Sequence, residues 1–184
     1  ASDVYKRQIL EMAKHKQTGS CRRLVVSGCL AQRYAKEIGE ELPEVDIVMG
    51  LDQLHTIVQA CEKDERPVED LRADGSAVYL YDHLVPRQVT TPGHYAYIKI
   101  SEGCDYTSTF CNIPKIRGAY RSRTPDSVLA EAESLAKSGV KELVLIAQDT
   151  TRYGHELGMK RGLALLMRQL ARVEGIEWVR FLYA

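Results

Sequence analysis

Two cysteines, Cys104 and Cys111, lie seven positions apart in a segment that also carries several cations. Thiolates bind iron and zinc, so a loop that presents both side chains could hold a metal ion or part of an iron–sulfur cluster. The alternative is that both residues are unpaired structural thiols. The spacing by itself favours neither interpretation.

The other cysteines differ in context. Cys29 follows a predicted strand, Leu24–Val26, and begins a predicted helix, where the helix dipole favours a thiolate. The alternative for Cys29 is a small, partly buried residue. Cys61 shares a predicted helix face with Leu54, Ile57 and Val58, which indicates a core residue. Cys21 lies in a predicted turn and is assigned no role. An odd number of cysteines without a secretory signal argues against a disulfide framework.

Four cations follow Cys111 within nine residues: Lys115, Arg117, Arg121 and Arg123. They indicate either a solvated loop or a site that attracts an anion, such as a cofactor carboxylate, an acidic substrate residue or RNA. Gln148 ends an apolar run and either binds a cofactor or caps a strand end. The histidines show no ligand spacing and are predicted to lie at the surface or between domains.

Two α/β units are predicted to position these residues. In the first unit, helix 3–16 precedes strand Leu24–Val26, helix 30–38, strand 45–49 and a further helix, joined by short loops. The charged, proline-containing stretch that follows predicts a linker. The domain boundaries are therefore set at 1–63, with a linker at 64–94 and a second domain at 95–184.

The second unit is predicted as strand, long loop, helix, strand, loop, helix and strand. Thr124 caps the helix that follows the loop, Pro125 suits its first turn, and Gly139 ends it. Strand 143–147 is continuously apolar, as in a sheet covered on both faces. Parallel strands with right-handed connections favour a barrel or partial barrel, in which chemistry gathers at the carboxyl ends of the strands. The loop 102–123 and Gln148 both follow such ends.

Composition narrows the class of protein. The chain has 184 residues, a formal net charge of zero, 45% apolar and 27% charged residues, which is ordinary for a globular protein. No apolar run approaches the roughly 20 residues of a membrane span, and residues 1–20 are polar, so no signal peptide is expected. A cytoplasmic protein with no membrane partner is expected. The first residue is Ala, and the end resembles a core strand, so we expect a piece of a longer protein with an unpaired, poorly soluble edge.

Several motifs carry a family resemblance. The segment 95–104 (YAYIKISEGC), the segment 110–114 (FCNIP) and the arginines after it resemble the radical S-adenosylmethionine domain of the methylthiotransferases. Segment 26–34 (VSGCLAQRY) is similar to the third cluster-ligand region of that family's N-terminal domain. Segment 144–151 (VLIAQDTT) resembles the branch that acts on a ribosomal protein. The resemblance runs from about residue 9 to the end.

The resemblance implies a remnant of a parallel α/β N-terminal methylthiotransferase domain, which binds a cluster, followed by the first part of a radical SAM partial (β/α) barrel. Two [4Fe-4S] clusters and S-adenosylmethionine are the implied cofactors, with Cys104, Cys111 and Cys29 as metal ligands and Phe110, Gln148 and Arg117 at the cofactor. Ser108 stands where the family has its middle barrel cysteine. Because a serine hydroxyl has a pKa far above the ~8.5 of cysteine, it is a poor anionic ligand, and a labile or absent cluster is expected.

The implied activity is methylthio transfer to the β-carbon of an aspartate of ribosomal protein S-twelve, through a 5′-deoxyadenosyl radical. The implied partners are this protein or the small ribosomal subunit, and an electron donor. Four alternatives stay open: a tRNA adenosine methylthiotransferase of the same family, an inactive α/β fragment without a complete cluster, a zinc protein, and a redox-thiol protein.

Overall fold

The computed structural model describes residues 2–62, 78–85 and 87–184, with Ser2 described by its backbone alone. The chain divides into two compact units: residues 1–79 with 115–117, and residues 80–114 with 118–184. Parallel sheets with helical connections are present in both units, which confirms the predicted α/β class. Residue 63, at the end of the predicted first domain, and residues 64–77 and Pro86 of the predicted linker lie outside the described residues. The proposed boundaries therefore stay a prediction.

The first unit is built on a two-stranded parallel sheet. Its elements are α1 (Ser2–Thr18), β1 (Val25–Ser27), α2 (Cys29–Glu41), β2 (Ile47–Met49), a 3-10 helix (Leu51–Thr56) and α3 (Ile57–Glu62). The strands pair from Val25 opposite Ile47 to Ser27 opposite Met49. Helix α2 continues through Gly39, where the sequence predicted its end.

Asp46 holds helix α1 to this sheet. Lys16 Nζ lies 2.6 Å from Asp46 Oδ2, which also accepts a hydrogen bond from Leu24 N at 2.7 Å. One carboxylate thus joins α1, the residue before β1 and the residue before β2. The apolar core on this side includes Ala31, Ile38 and Val48.

The second unit is built on a three-stranded parallel sheet. Its strands are β3 (Tyr95–Lys99), β6 (Glu142–Ile146) and β7 (Trp178–Phe181), in the order β3-β6-β7. Helix α5 (Pro125–Lys137) connects the first pair and α6 (Gly162–Leu170) the second. Parallel strands in sequential order, each pair joined through a helix that packs on the sheet, are the arrangement expected at the start of a (β/α) barrel.

The sequence patterns account for these elements. Thr124 caps α5, because its side chain accepts a hydrogen bond from Ser127 N, and Gly139 after the helix has φ +97°. The middle residues of β6 are buried, as expected for a strand covered on both faces. The core of the unit packs α5 and α6 on the sheet through Ile98, Val128, Leu143, Leu145 and Leu166.

The predicted loop 102–123 is more ordered than expected. It contains a short strand at each end, β4 (Ser101–Glu102) and β5 (Arg121–Ser122), and a short helix, α4 (Ile113–Arg117). The prediction of a continuous loop was wrong here, because strands of two residues and a helix of five leave almost no periodic pattern.

Candidate functional site

The candidate site lies at the carboxyl ends of β3 and β6. These strands are parallel neighbours, with Lys99 opposite Ile146 at the end of the register. The chain after each strand therefore emerges at the same edge. Gly103 N donates a hydrogen bond to Gln148 Oε1 at 2.9 Å, which joins the two segments. The prediction that they share this edge is confirmed.

A short antiparallel ladder closes the loop that carries Cys104 and Cys111. Ser101 pairs with Ser122 and Glu102 with Arg121. Beyond the ladder, Cys104 N donates to Gly118 O at 3.2 Å. We call residues 103–120 the cysteine loop. Its two ends are held together by backbone hydrogen bonds.

The cysteines of this loop are free thiols, and both are partly buried. Ser108, between them, is exposed, and its carbonyl accepts a hydrogen bond from Cys111 N at 3.0 Å, forming a tight turn. Phe110 lies in that turn with 89% of its surface exposed. An aromatic face is therefore open to a ligand beside Cys111. Its assignment to the cofactor stays a prediction.

The donor set of the loop does not fit a cluster that requires three thiolates. Cys104 and Cys111 supply two soft ligands, whereas Ser108 offers a neutral hydroxyl. Within residues 2–62, 78–85 and 87–184, no group of three His, Cys, Asp or Glu side chains is arranged to hold a metal ion. Position 108 of the loop therefore supplies no thiolate.

Sequence reasoning missed three residues that shape the loop: Asp105, Tyr120 and Arg152. Asp105 Oδ1 accepts a hydrogen bond from Tyr120 N at 2.8 Å, and Asp105 Oδ2 lies 3.1 Å from Arg152 Nη2. The Tyr120 hydroxyl donates to Asp149 O at 2.8 Å. Two features of the sequence could have identified these residues: Asp105 is next to Cys104, and Arg152 follows shortly after Gln148.

Arg123 fits neither hypothesis made for the four cations. It is only 3% exposed, and its guanidinium donates to Glu131 Oε2 at 2.5 Å, Lys99 O at 2.9 Å and Ser127 Oγ at 2.9 Å. Arg123 is therefore a buried structural residue that ties the end of β3 to helix α5. The sequence alone does not distinguish an arginine in a solvated loop from an arginine buried beneath a helix.

Arg117 and Cys29 meet in the first compact unit. Arg117 Nη2 lies 3.1 Å from Cys29 Sγ and donates a hydrogen bond to it. Cys29 is the first residue of helix α2, as predicted, and is partly buried. The assignments of Cys29 to a metal and Arg117 to a cofactor stay predictions.

The remaining candidates lie at the surface. Cys61 is exposed, which shows that its prediction as a core residue was wrong. Leu51–Thr56 forms a 3-10 helix before α3, and this changes which residues share a face with Cys61. The five histidines are exposed, as expected. No helix of the described residues is long and apolar enough to cross a membrane.

Two buried tyrosines predict how stability depends on pH. Burial raises the pKa of the Tyr153 phenol, whose hydroxyl donates to Arg123 O at 2.8 Å, and burial also raises the pKa of Tyr120. Unfolded tyrosines ionise near pH ~10. Above that pH the unfolded state loses protons that the folded state retains, so the free energy of unfolding should fall as pH rises.

The corresponding variant is Tyr153→Phe, measured by urea unfolding from pH 7 to pH 11. At pH 7 the variant should be about 1 kcal/mol less stable, because it lacks one hydrogen bond. The difference from the parent should narrow above pH ~10, since the variant has no buried phenol at this position. A difference that stays constant across this range would contradict the prediction.

The whole sequence matches no protein-family model. It is 44% identical to the ribosomal protein uS12 methylthiotransferase RimO of Koribacter versatilis, with 96% of this chain and 43% of that protein aligned. Identity to the protein of the same name from Solibacter usitatus is 48%, covering 96% of this chain and 37% of that protein. Identity to the protein of the same name from Desulfitobacterium hafniense is 46%, covering 95% of this chain and 39% of that protein.

A solved structure is also similar, at lower coverage. The radical S-adenosylmethionine methyltransferase TsrM from Kitasatospora setae aligns at 25% identity over 53% of this chain and 18% of its own, with a TM-score of 0.35. The chain spans about two fifths of the length of the curated relatives it matches. It is homologous over nearly its whole length to a part of these proteins.

Proposed function

We propose that this chain is part of a uS12 methylthiotransferase, the enzyme to which it is similar along nearly all of its sequence. The observation that carries the proposal is 44–48% identity to proteins of that name over about 96% of the chain. In the longer protein, the reaction is methylthio transfer to the β-carbon of an aspartate of uS12. The protein is proposed to work in the cytoplasm with the small ribosomal subunit and an electron donor.

The geometry supports a cofactor site at the carboxyl edge of the second sheet. The cysteine loop and Gln148 emerge there together, as ligand-binding segments do in parallel α/β folds. Gln148 Oε1 is occupied by Gly103 N, so its oxygen shapes the loop and its amide group has two donors to offer a ligand. The residues proposed for the cofactor at this edge are Gln148 and Phe110. Arg117, which contacts Cys29 in the first compact unit, is proposed separately as a cofactor residue.

The proposed ligands are incomplete for a cluster of the radical SAM type. Cys104 and Cys111 supply two thiolates, and Ser108 interrupts the set. The protein residues by themselves close the loop, fix Gln148 against Gly103 and leave Phe110 exposed.

Anaerobic reconstitution with iron and sulfide tests the proposal. Ser108→Cys should complete three thiolates and retain about four iron atoms per chain, as expected for a [4Fe-4S] cluster. The parent should retain far fewer. Iron and sulfide are measured chemically after desalting, together with absorbance from sulfur-to-iron charge transfer and binding of S-adenosylmethionine by equilibrium dialysis.

Thr109→Cys is the matched control. It also adds a third thiol to the exposed turn, but at a position one residue away from that of the family motif. If Ser108→Cys binds iron and Thr109→Cys does not, the spacing defines a genuine site. Equal binding by both variants, or binding by neither, would contradict the proposed cofactor site.

A further inference from the structure

The carboxylate of Asp105 joins two separate parts of the second unit. It follows Cys104 directly in the sequence, accepts a hydrogen bond from Tyr120 N at 2.8 Å and lies 3.1 Å from Arg152 Nη2. Tyr120 ends the cysteine loop, whereas Arg152 lies in the segment that follows β6. Asp105 therefore links the beginning of the loop to its end and to the neighbouring segment.

Arg152 contacts the loop through more than this ion pair. Its guanidinium carbon lies 5.4 Å from the ring centroid of Tyr106 and 5.4 Å from that of Tyr120. Both distances are within the range of a cation–π contact. The planar guanidinium bonds to a carboxylate and stacks on rings at the same time, which a lysine ammonium does less well.

The segment immediately before Arg152, residues 149–151, is itself held in place by hydrogen bonds. Asp149 Oδ1 accepts hydrogen bonds from Thr151 N at 3.0 Å and Thr151 Oγ1 at 2.6 Å. Thr150 is fully buried, and its hydroxyl lies 2.8 Å from Leu182 O. Arg152 thus directly follows a segment that is held by side-chain hydrogen bonds.

Solvent exposure determines how much each of these contacts contributes to the stability of the cysteine loop. The Asp105 and Arg152 side chains are 42% and 25% exposed, so the ion pair alone is screened by solvent and weak. The two ring contacts and the Tyr120 hydrogen bond act on the same few residues. Their combined effect is local, on the residues next to Cys104.

We propose that Arg152 is a positioning residue that holds the cysteine loop in its folded shape by clamping Asp105 and Tyr106. The loop is then ordered before any metal binds. This inference concerns the metal-free chain, so its failure would leave the proposed methylthiotransferase function untouched.

Hydrogen exchange of the metal-free chain tests the inference. Arg152→Ala should speed exchange of the amides at 104–111 on the order of tenfold, because the clamp opens locally. Amides of β6 should exchange at the parental rate. Alkylation of Cys104 and Cys111 should accelerate, whereas alkylation of Cys29, in the other compact unit, should not. Arg152→Lys should restore part of the protection.

Two further variants separate positioning from general stability. Arg168→Ala removes an exposed arginine from α6 and should leave the loop unchanged. Asp105→Asn combined with Arg152→Ala should expose the loop no more than Arg152→Ala does alone. The inference is overturned if loop exchange is unaltered in Arg152→Ala, if the amides of β6 accelerate equally, or if lysine gives no rescue. It is also overturned if the double variant exchanges faster in the loop than Arg152→Ala does alone.

Discussion

Gly103→Ala should destabilise the second unit by on the order of 3–5 kcal/mol, at the upper end of what single substitutions cause. Gly103 has φ +81°, a conformation that costs other residues energy. A Cβ atom at this position would lie 2.2 Å from Ala119 O and 2.6 Å from Gly118 O. These contacts are backbone atoms at the closure of the cysteine loop, so no side chain can move to relieve them.

Gly158→Ala separates the cost of the backbone conformation from the cost of the steric clash. Gly158 has φ +73°, but a Cβ atom there would meet nothing within 4 Å. This control should cost about 1 kcal/mol, from the backbone conformation alone. Urea unfolding followed by fluorescence of Trp178, in β7, reports on the second unit. A cost for Gly103→Ala no larger than that of Gly158→Ala would show that the loop closes differently.

Arg123→Met should destabilise the same unit by about 3–5 kcal/mol, because it removes one member of a buried charged pair. The lost bonds are those from the guanidinium to Glu131, Lys99 O and Ser127. Glu131 would keep its contact with Arg87 Nη1 at 2.8 Å, but the Arg87 side chain is more exposed to solvent than that of Arg123. Methionine retains an unbranched apolar stem similar to the aliphatic part of arginine and lacks the guanidinium, so lost polar contacts account for most of the effect.

A double variant and a surface control test this explanation. Adding Glu131→Leu to Arg123→Met should recover part of the lost stability, because both charges are then absent. Arg168→Ala, on the exposed face of α6, should change the free energy of unfolding by less than about 0.5 kcal/mol. If Arg123→Met behaves like Arg168→Ala, the network does not stabilise the unit.

The regular elements were predictable because their physics is local. Thr124, Pro125 and Gly139 mark helix α5 by its ends, and the apolar run in β6 marks a strand covered on both faces. These patterns depend on neighbours in the sequence. These patterns also predicted that the cysteine loop and Gln148 lie at one edge of the sheet. The hydrogen bond between Gly103 and Gln148 joins them there.

The details of the site were not predictable in the same way. Asp105 and Arg152 are 47 positions apart, so their ion pair exists only once β3 and β6 are neighbours. The burial of Arg123 depends on helix α5, which comes later in the sequence. Cys61 was predicted as core from helical periodicity, whereas the preceding turn is a 3-10 helix with a different period. Tertiary pairing decided each of these outcomes.

The two-rung ladder between β4 and β5 has a consequence for the entropy of ligand capture. An open loop of this length must lose conformational freedom when its two thiols converge on one ion. Here Ser101, Glu102, Arg121 and Ser122 bring the loop ends together during folding. The thiols therefore start at a raised effective concentration relative to each other. A metal that bound both Cys104 and Cys111 would spend less of its binding free energy on ordering the chain.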